Sequence, residues 1–263
     1  MNILDFQRKK QSNEKITMVT CYDYSSAKLL ADSDVDCLLV GDSLAMTMHG
    51  FEDTLSATME MMVLHTAAVK RGVGEQFIVA DLPFLSYRKS LAHSVEAAQQ
   101  LMQAGAHAVK LEGAAGNLET IRHFIESGIP VMGHLGLTPQ YVHALGGYRV
   151  QGRTDIAAEK LLTDAKALEA AGCFAVVLEC IPAALAKKIT EALAIPTIGI
   201  GAGTATNGQV LVYQDLLGMN KNFKPKFVKV FLDGCHAIKE AINQYCTDVK
   251  KAEFPAHEHT YDH

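Results

Sequence analysis

The chain has 263 residues, 49% of them hydrophobic, with 24 basic against 29 acidic side chains and a formal net charge of −5. At this length and apolar content it can bury a large core, and a single barrel of about 250 residues is within reach. The mild acidity and the absence of a basic stripe argue against a nucleic-acid partner, and no apolar run approaches the roughly 18 residues of a membrane span.

In chain order, the opening MNILDFQRKKQSNEK lacks the long apolar stretch of a signal peptide, so a cytoplasmic location is expected. Six scattered cysteines (Cys21, Cys37, Cys173, Cys180, Cys235, Cys246), none in a C-x-x-C pair, read as reduced thiols rather than zinc ligands. Candidate strands follow in KITMVTCYD (15–23), CLLVGD (37–42), FIVADLPF (77–84), AVKLEG (108–113), PVMGHLGL (130–137), FAVVLEC (174–180), PTIGIG (196–201) and QVLVYQD (209–215). Their apolar runs are continuous rather than alternating, as in parallel strands covered on both faces. Helical patterns lie between them. Asn117 reads as one N-cap with Gly128 past the end, and Thr154 or Asp155 as another with Gly172 past the end. Eight strands with interleaved helices predict an α/β protein, a (β/α)8 TIM barrel, over a doubly wound open sheet. No linker divides residues 1–263, which read as one barrel domain with a C-terminal helical extension over about 224–254.

Four of these runs carry charge at their ends. LLVGD ends in Asp42, FIVAD in Asp81, AVKLEG carries Lys110 and Glu112, and FAVVLEC carries Glu179. Barrel active sites sit at the C-terminal strand ends, so this coincidence points to chemistry rather than to unrelated surface ion pairs. Adjacent strands are about 4.8 Å apart; Asp42 and Asp81 could therefore aim at one point, and two such carboxylates need a proton or a cation between them. An all-oxygen set suits Mg²⁺, with Glu112 near enough to bind directly or through water. Lys110 and Glu112, two apart, share a strand face. Lys110 could hold a substrate carboxylate; the acidic neighbours disfavour a Schiff base. Glu179 suits a general base, or else a salt bridge to Lys110. His134 either hydrogen-bonds a reacting oxygen or orients a loop, and the long segment 138–153 after it is a candidate lid. IGIGAG lacks the spacing of a dinucleotide fingerprint, the methionines of TMEMMVLHTAAVKRG read as helix core, and the tail histidines are assigned no metal.

VGDSLAM, VADLPF, VKLEG, GHLGLTPQ, GGYRVQGR, LECIP and IGIGAG, in this order and with TCYDYSSAKL and EFPAHEHTYDH at the two ends, resemble the ketopantoate hydroxymethyltransferase family from about residue 15 onward. The resemblance implies a Mg²⁺-dependent barrel enzyme of pantothenate biosynthesis. Such an enzyme moves a one-carbon unit from 5,10-methylenetetrahydrofolate to 3-methyl-2-oxobutanoate, giving 2-dehydropantoate, and is commonly a homodecamer. By resemblance Asp42 and Asp81 match metal ligands, Glu112 a third acidic metal-site position, Ser43 and Lys110 substrate-carboxylate positions, and Glu179 the proton acceptor. The competing reading is a Mg-dependent 2-oxo acid C–C or P–C lyase of the phosphoenolpyruvate mutase/isocitrate lyase type; it lacks an obvious cysteine-bearing catalytic loop here. A silent scaffold barrel would not need the Asp42, Asp81, Lys110, Glu112 and Glu179 set.

Overall fold

Strands β1 (Ile16–Thr20), β2 (Cys37–Val40), β3 (Phe77–Asp81), β4 (Ala108–Glu112), β5 (Val131–Gly136), β6 (Ala175–Glu179), β7 (Thr197–Ile200) and β8 (Gly208–Leu211) pair in chain order. Every neighbour is parallel, and β8 returns to β1 to close the barrel. The computed structural model describes residues 1–220 and 225–261; the expected start of the extension at residue 224 and the tail residue His263 lie outside them. Helix α1 (Ile3–Gln11) precedes the barrel. After β1 comes α2 (Tyr24–Ala31), and after β2 come α3 (Leu44–Thr47) and α4 (Met59–Gly72). Helices α5 (Leu91–Gln103), α6 (Leu118–Glu126), α7 (Asp155–Ala170) and α8 (Ala183–Ala192) follow β3 to β6. The connection from β7 to β8, residues 201–207, runs without a helix. A Cβ on Gly208 would meet the carbonyl oxygen of Ile16 at 2.5 Å, so only glycine lets the first residue of β8 lie this close to β1.

The chain divides into two compact units, Met1–Val212 and Tyr213–His263. The second begins with the short helix α9 (Tyr213–Leu216) and carries α10 (Gly234–Lys250), which falls within the span expected for a helical extension. Asp233 caps α10, accepting from the backbone N–H of His236 at 3.2 Å. Along α10 the apolar side chains Ile238, Ile242, Tyr245 and Val249 are exposed.

Several expected strands end early, for identifiable reasons. The run 15–23 stops at Thr20 because Asp23 caps α2, its Oδ1 accepting from Ser26 N–H at 2.9 Å. The run 77–84 stops at Asp81, before a proline that could not donate to a central ladder. QVLVYQD yields only β8, its tail turning into α9. Thr154 is confirmed as the α7 cap, accepting from Ala157 N–H at 3.3 Å. Asn117 stands before α6 but does not cap it. Its backbone is helical (φ −114°, ψ −16°), and its amide instead donates to the carbonyls of Glu112 and Gly113 at 2.9 and 2.8 Å.

The core follows the period of two along each strand. Phe77 and Val79, Ala108, Met132, and Ala175 and Val177 fill the lower barrel with Ile16, Met18, Cys37, Leu39, Ile198 and Val210. Continuing up the same faces, the next residues are Asp81, Lys110 and Glu112, His134, and Glu179. Apolar layers therefore form the floor of a charged upper layer. Phe6 of α1 seals the lower end, fully buried, with its ring 5.4 Å from Phe77 and 5.1 Å from Phe174. Replacing Phe6 with Ala should cost about 3–5 kcal/mol of stability, read by urea denaturation, because it removes a fully buried ring packed on Phe77 and Phe174; a loss below about 1 kcal/mol would contradict this role.

Candidate active site

The upper layer places charged side chains in register. Asp81 lies opposite Lys110, Glu112 opposite His134, and Gly136 opposite Glu179 on neighbouring strands. Lys110 Nζ is 3.0 Å from Asp81 Oδ1 and 3.3 Å from His134 Nδ1. His134 Nδ1 is also 3.4 Å from Glu112 Oε1, and its Nε2 is 3.2 Å from Glu179 Oε2. Lys110 thus pairs with Asp81, and the alternative salt bridge expected between Lys110 and Glu179 does not form; His134 takes that place. Lys110 sits on the side of Asp81, with His134 between it and Glu179.

Asp42 follows β2 by two residues, where the chain turns into α3. Its backbone N–H donates to Asp81 Oδ2 at 3.1 Å, tying the two carboxylate-bearing ends together. Ser43 is next; its Oγ lies 2.7 Å from the hydroxyl of fully buried Tyr22. Asp42, Asp81, Lys110, Glu112 and His134 are all buried, while Glu179 keeps a partly open face toward the mouth.

The electrostatics follow from this crowding. Burial raises the Asp42 carboxyl well above its ordinary range, and the charges of Asp81 and Glu112 add to that; Lys110 and a hydrogen bond from Gln140 offset only part of it. Burial likewise raises Asp81 despite its ion pair with Lys110. Burial works against the Lys110 ammonium, but Asp81, Glu112 and Asp42 outweigh it and hold the group protonated. A protonated amine is no nucleophile, which weighs against the Schiff-base reading. His134 is driven down by burial and by Lys110, yet hydrogen bonding to Glu112 and Glu179 outweighs both and raises it to about 9.

Two unit charges 3 Å apart attract by about 5 kcal/mol at an effective dielectric near 20. Desolvation costs several kcal/mol per buried ion. One pair such as Lys110–Asp81 therefore roughly breaks even, and the remaining carboxylates are left uncompensated. With Asp42, Asp81, Glu112 and Glu179 ionised against Lys110 and a protonated His134, the cluster is short of two positive charges. Asp81 Oδ1 and His134 Nε2 are buried, and each faces an ion-pair partner, Lys110 at 3.0 Å and Glu179 at 3.2 Å. This donor set fits a divalent cation. Among the described residues no three His, Cys, Asp or Glu side chains converge as a ready-made cage. Mg²⁺ does not require one, since it commonly uses one or two carboxylates and completes its shell with water and substrate. Both oxygens of Glu112 are already engaged, Oε2 accepting from the Gln140 backbone N–H at 3.0 Å and Oε1 facing His134.

Gln140, Tyr87 and Tyr22 belong to this site and carry no charge that would mark them in the sequence. Gln140 lies in a 3₁₀ turn, Pro139–Tyr141, at the start of the segment read as a lid. That segment is thus pinned at its root to the acidic cluster. Its far end is held too, Gln151 N–H donating to the Cys180 carbonyl at 2.9 Å.

Fold and site together define an enzyme of the (β/α)8 class, with its chemistry at the C-terminal strand ends. The chain belongs to the ketopantoate hydroxymethyltransferase family, whose model matches residues 1–257. Proteins named 3-methyl-2-oxobutanoate hydroxymethyltransferase are 60% identical over 259 residues in Bdellovibrio bacteriovorus, covering 98% of each chain. One from Coxiella burnetii is 59% identical over 256 residues, covering 97% of this chain and 96% of the relative. Solved structures of similar fold include a phosphonopyruvate hydrolase complex with oxalate and Mg²⁺, at TM-score 0.64, 12% identity, and coverage of 98% and 93%. A 2,3-dimethylmalate lyase of the PEP mutase/isocitrate lyase superfamily has TM-score 0.63 and 17% identity, covering 94% of this chain and 87% of the lyase. At such identities these structures share the barrel alone, and the lyase reading is not favoured.

Gly136 offers a test of the geometry. Its φ is +95°, and a Cβ there would collide with the backbone carbonyl of Glu179. Replacing Gly136 with Ala should therefore displace Glu179 and lower turnover on the order of 10²-fold, with the barrel retained by circular dichroism. Unchanged turnover would mean that the position of Glu179 does not matter.

Proposed function

We propose that this chain transfers a hydroxymethyl group from 5,10-methylenetetrahydrofolate to 3-methyl-2-oxobutanoate, forming 2-dehydropantoate, as its family and its named relatives suggest. The observation that carries the reading at the level of residues is the buried Asp42–Asp81 pair beside a protonated Lys110, with Glu179 facing the same mouth. Asp42 and Asp81 would hold the magnesium ion, with Glu112 reaching it through water. Bound there, the ion would act as a Lewis acid on a keto oxygen and acidify the adjoining C–H.

The chain's own groups supply the rest. Lys110 has an N–H to spare beyond its contact with Asp81 and, with Ser43, binds the substrate carboxylate. Glu179 accepts the C3 proton. His134, cationic between Glu112 and Glu179, carries its Nε2 3.2 Å from Glu179 Oε2, where it can also donate toward the reacting oxygen. The C3–H bond breaks, C3 bonds to the one-carbon unit, water supplies the hydroxyl, and tetrahydrofolate leaves. We further propose a cytoplasmic homo-oligomer, a decamer by family resemblance; the free cysteines and the exposed apolar row on α10 support it.

Two variants test the assignment. Glu179→Gln should lose turnover by on the order of 10²–10⁴-fold, the usual worth of a general base, while calorimetry finds Mg²⁺ and substrate binding retained; an active variant removes Glu179 from the role. Asp42→Ala should lose Mg²⁺ affinity, and an unchanged titration would count against the metal site.

A further inference from the structure

Gln140 makes four hydrogen bonds in and around the acidic cluster. Its side-chain Nε2 donates to Asp42 Oδ2 at 2.8 Å and to the Leu82 carbonyl at 3.0 Å. Its Oε1 accepts from the Tyr87 hydroxyl at 2.7 Å, and its backbone N–H donates to Glu112 Oε2 at 3.0 Å. One buried residue on the turn after β5 is therefore tied to the ends of β2, β3 and β4. The orientation of the amide is fixed by its partners. Both N–H groups face acceptors, Oε1 faces a hydroxyl, and the reverse orientation would set Oε1 against the Asp42 carboxylate. Tyr87 is itself buried, and its hydroxyl also lies 3.4 Å from the Glu112 backbone N–H.

The chemistry of an amide suits this place. A lysine or arginine could hold Asp42 equally well, but its charge would compete with a bound cation. An amide satisfies one carboxylate oxygen and leaves the cluster's negative charge intact. Gln140 thus fixes Asp42 through Oδ2 while the Asp42 backbone N–H holds Asp81 Oδ2.

We propose that Gln140 is a positioning residue for the divalent cation, orienting Asp42 through its side chain and Glu112 through its backbone, with Tyr87 locking its amide. This rests on the metal reading of Asp42 and Asp81. The test is Mn²⁺ titration by electron paramagnetic resonance, without substrate or folate, on the full chain and on Gln140→Leu, Tyr87→Phe and Asp42→Asn. Replacing residues that orient metal ligands weakens affinity by roughly 10–100-fold. That loss is expected for Gln140→Leu, with a smaller loss for Tyr87→Phe, which removes one hydroxyl and carries the test if Gln140→Leu does not fold. Thermal melts of the metal-free proteins separate the alternative, because a purely structural role lowers melting temperature and leaves Mn²⁺ affinity alone. Wild-type affinity in Gln140→Leu and Tyr87→Phe, with binding lost in Asp42→Asn, overturns the proposal and keeps the metal site. Wild-type affinity in all three variants overturns the metal site itself.

Discussion

The structure is organised around an excess of buried negative charge. Asp42, Asp81 and Glu112 crowd one ammonium, Lys110, in a place from which water is largely removed. With all three carboxyls ionised, these four groups carry a net charge of −2. Burial and mutual repulsion push Asp42 toward its protonated form, and only a further cation restores the carboxylates as a set. A divalent ion held as proposed would offset that excess of negative charge. His134 lies beside Lys110, 3.3 Å away, and reaches Glu112 and Glu179 with its two ring nitrogens.

The barrel makes this affordable. Its lower layers are apolar and closed at the bottom by Phe6, so a dry, rigid floor lies under the charges. Parallel registration then sets the distances: Asp81 opposite Lys110 and Glu112 opposite His134 are consequences of strand pairing, not of flexible side-chain choice. Glu179 is placed by a tighter constraint. Its carbonyl passes so close to Gly136 that no side chain fits there, and the following Cys180 adopts a left-handed φ of +46° that few non-glycine residues tolerate. Backbone strain of this kind persists where the surrounding fold over-determines it, often at functional positions.

The strands and most of the charged site were legible because both signals are local. Continuous apolar runs mark strands covered on both faces, and a charge ending such a run on the inward face marks the barrel mouth; Asp81, Lys110, Glu112 and Glu179 all obey this. What escaped was non-local and uncharged. Gln140 meets Asp42 from 98 residues away, and Tyr87 meets Gln140 from 53. Nothing in TPQ or SYR announces such partners before the barrel closes. The salt bridge left open between Lys110 and Glu179 does not form, because strand register sets Lys110 against Asp81. Asn117 had the residue type of a cap, but a helical backbone turns its side chain back onto β4.

The central claim is that these carboxylates hold a cation that lets Glu179 take a proton from carbon. Proton NMR of 3-methyl-2-oxobutanoate in D₂O, with the protein and either Mg²⁺ or EDTA, tests it most directly, with tetrahydrofolate added in a second pair of tubes. The account predicts loss of the C3 proton signal with Mg²⁺ and its retention with EDTA. Exchange that persists in EDTA, or no exchange in any tube although the substrate binds, would contradict it.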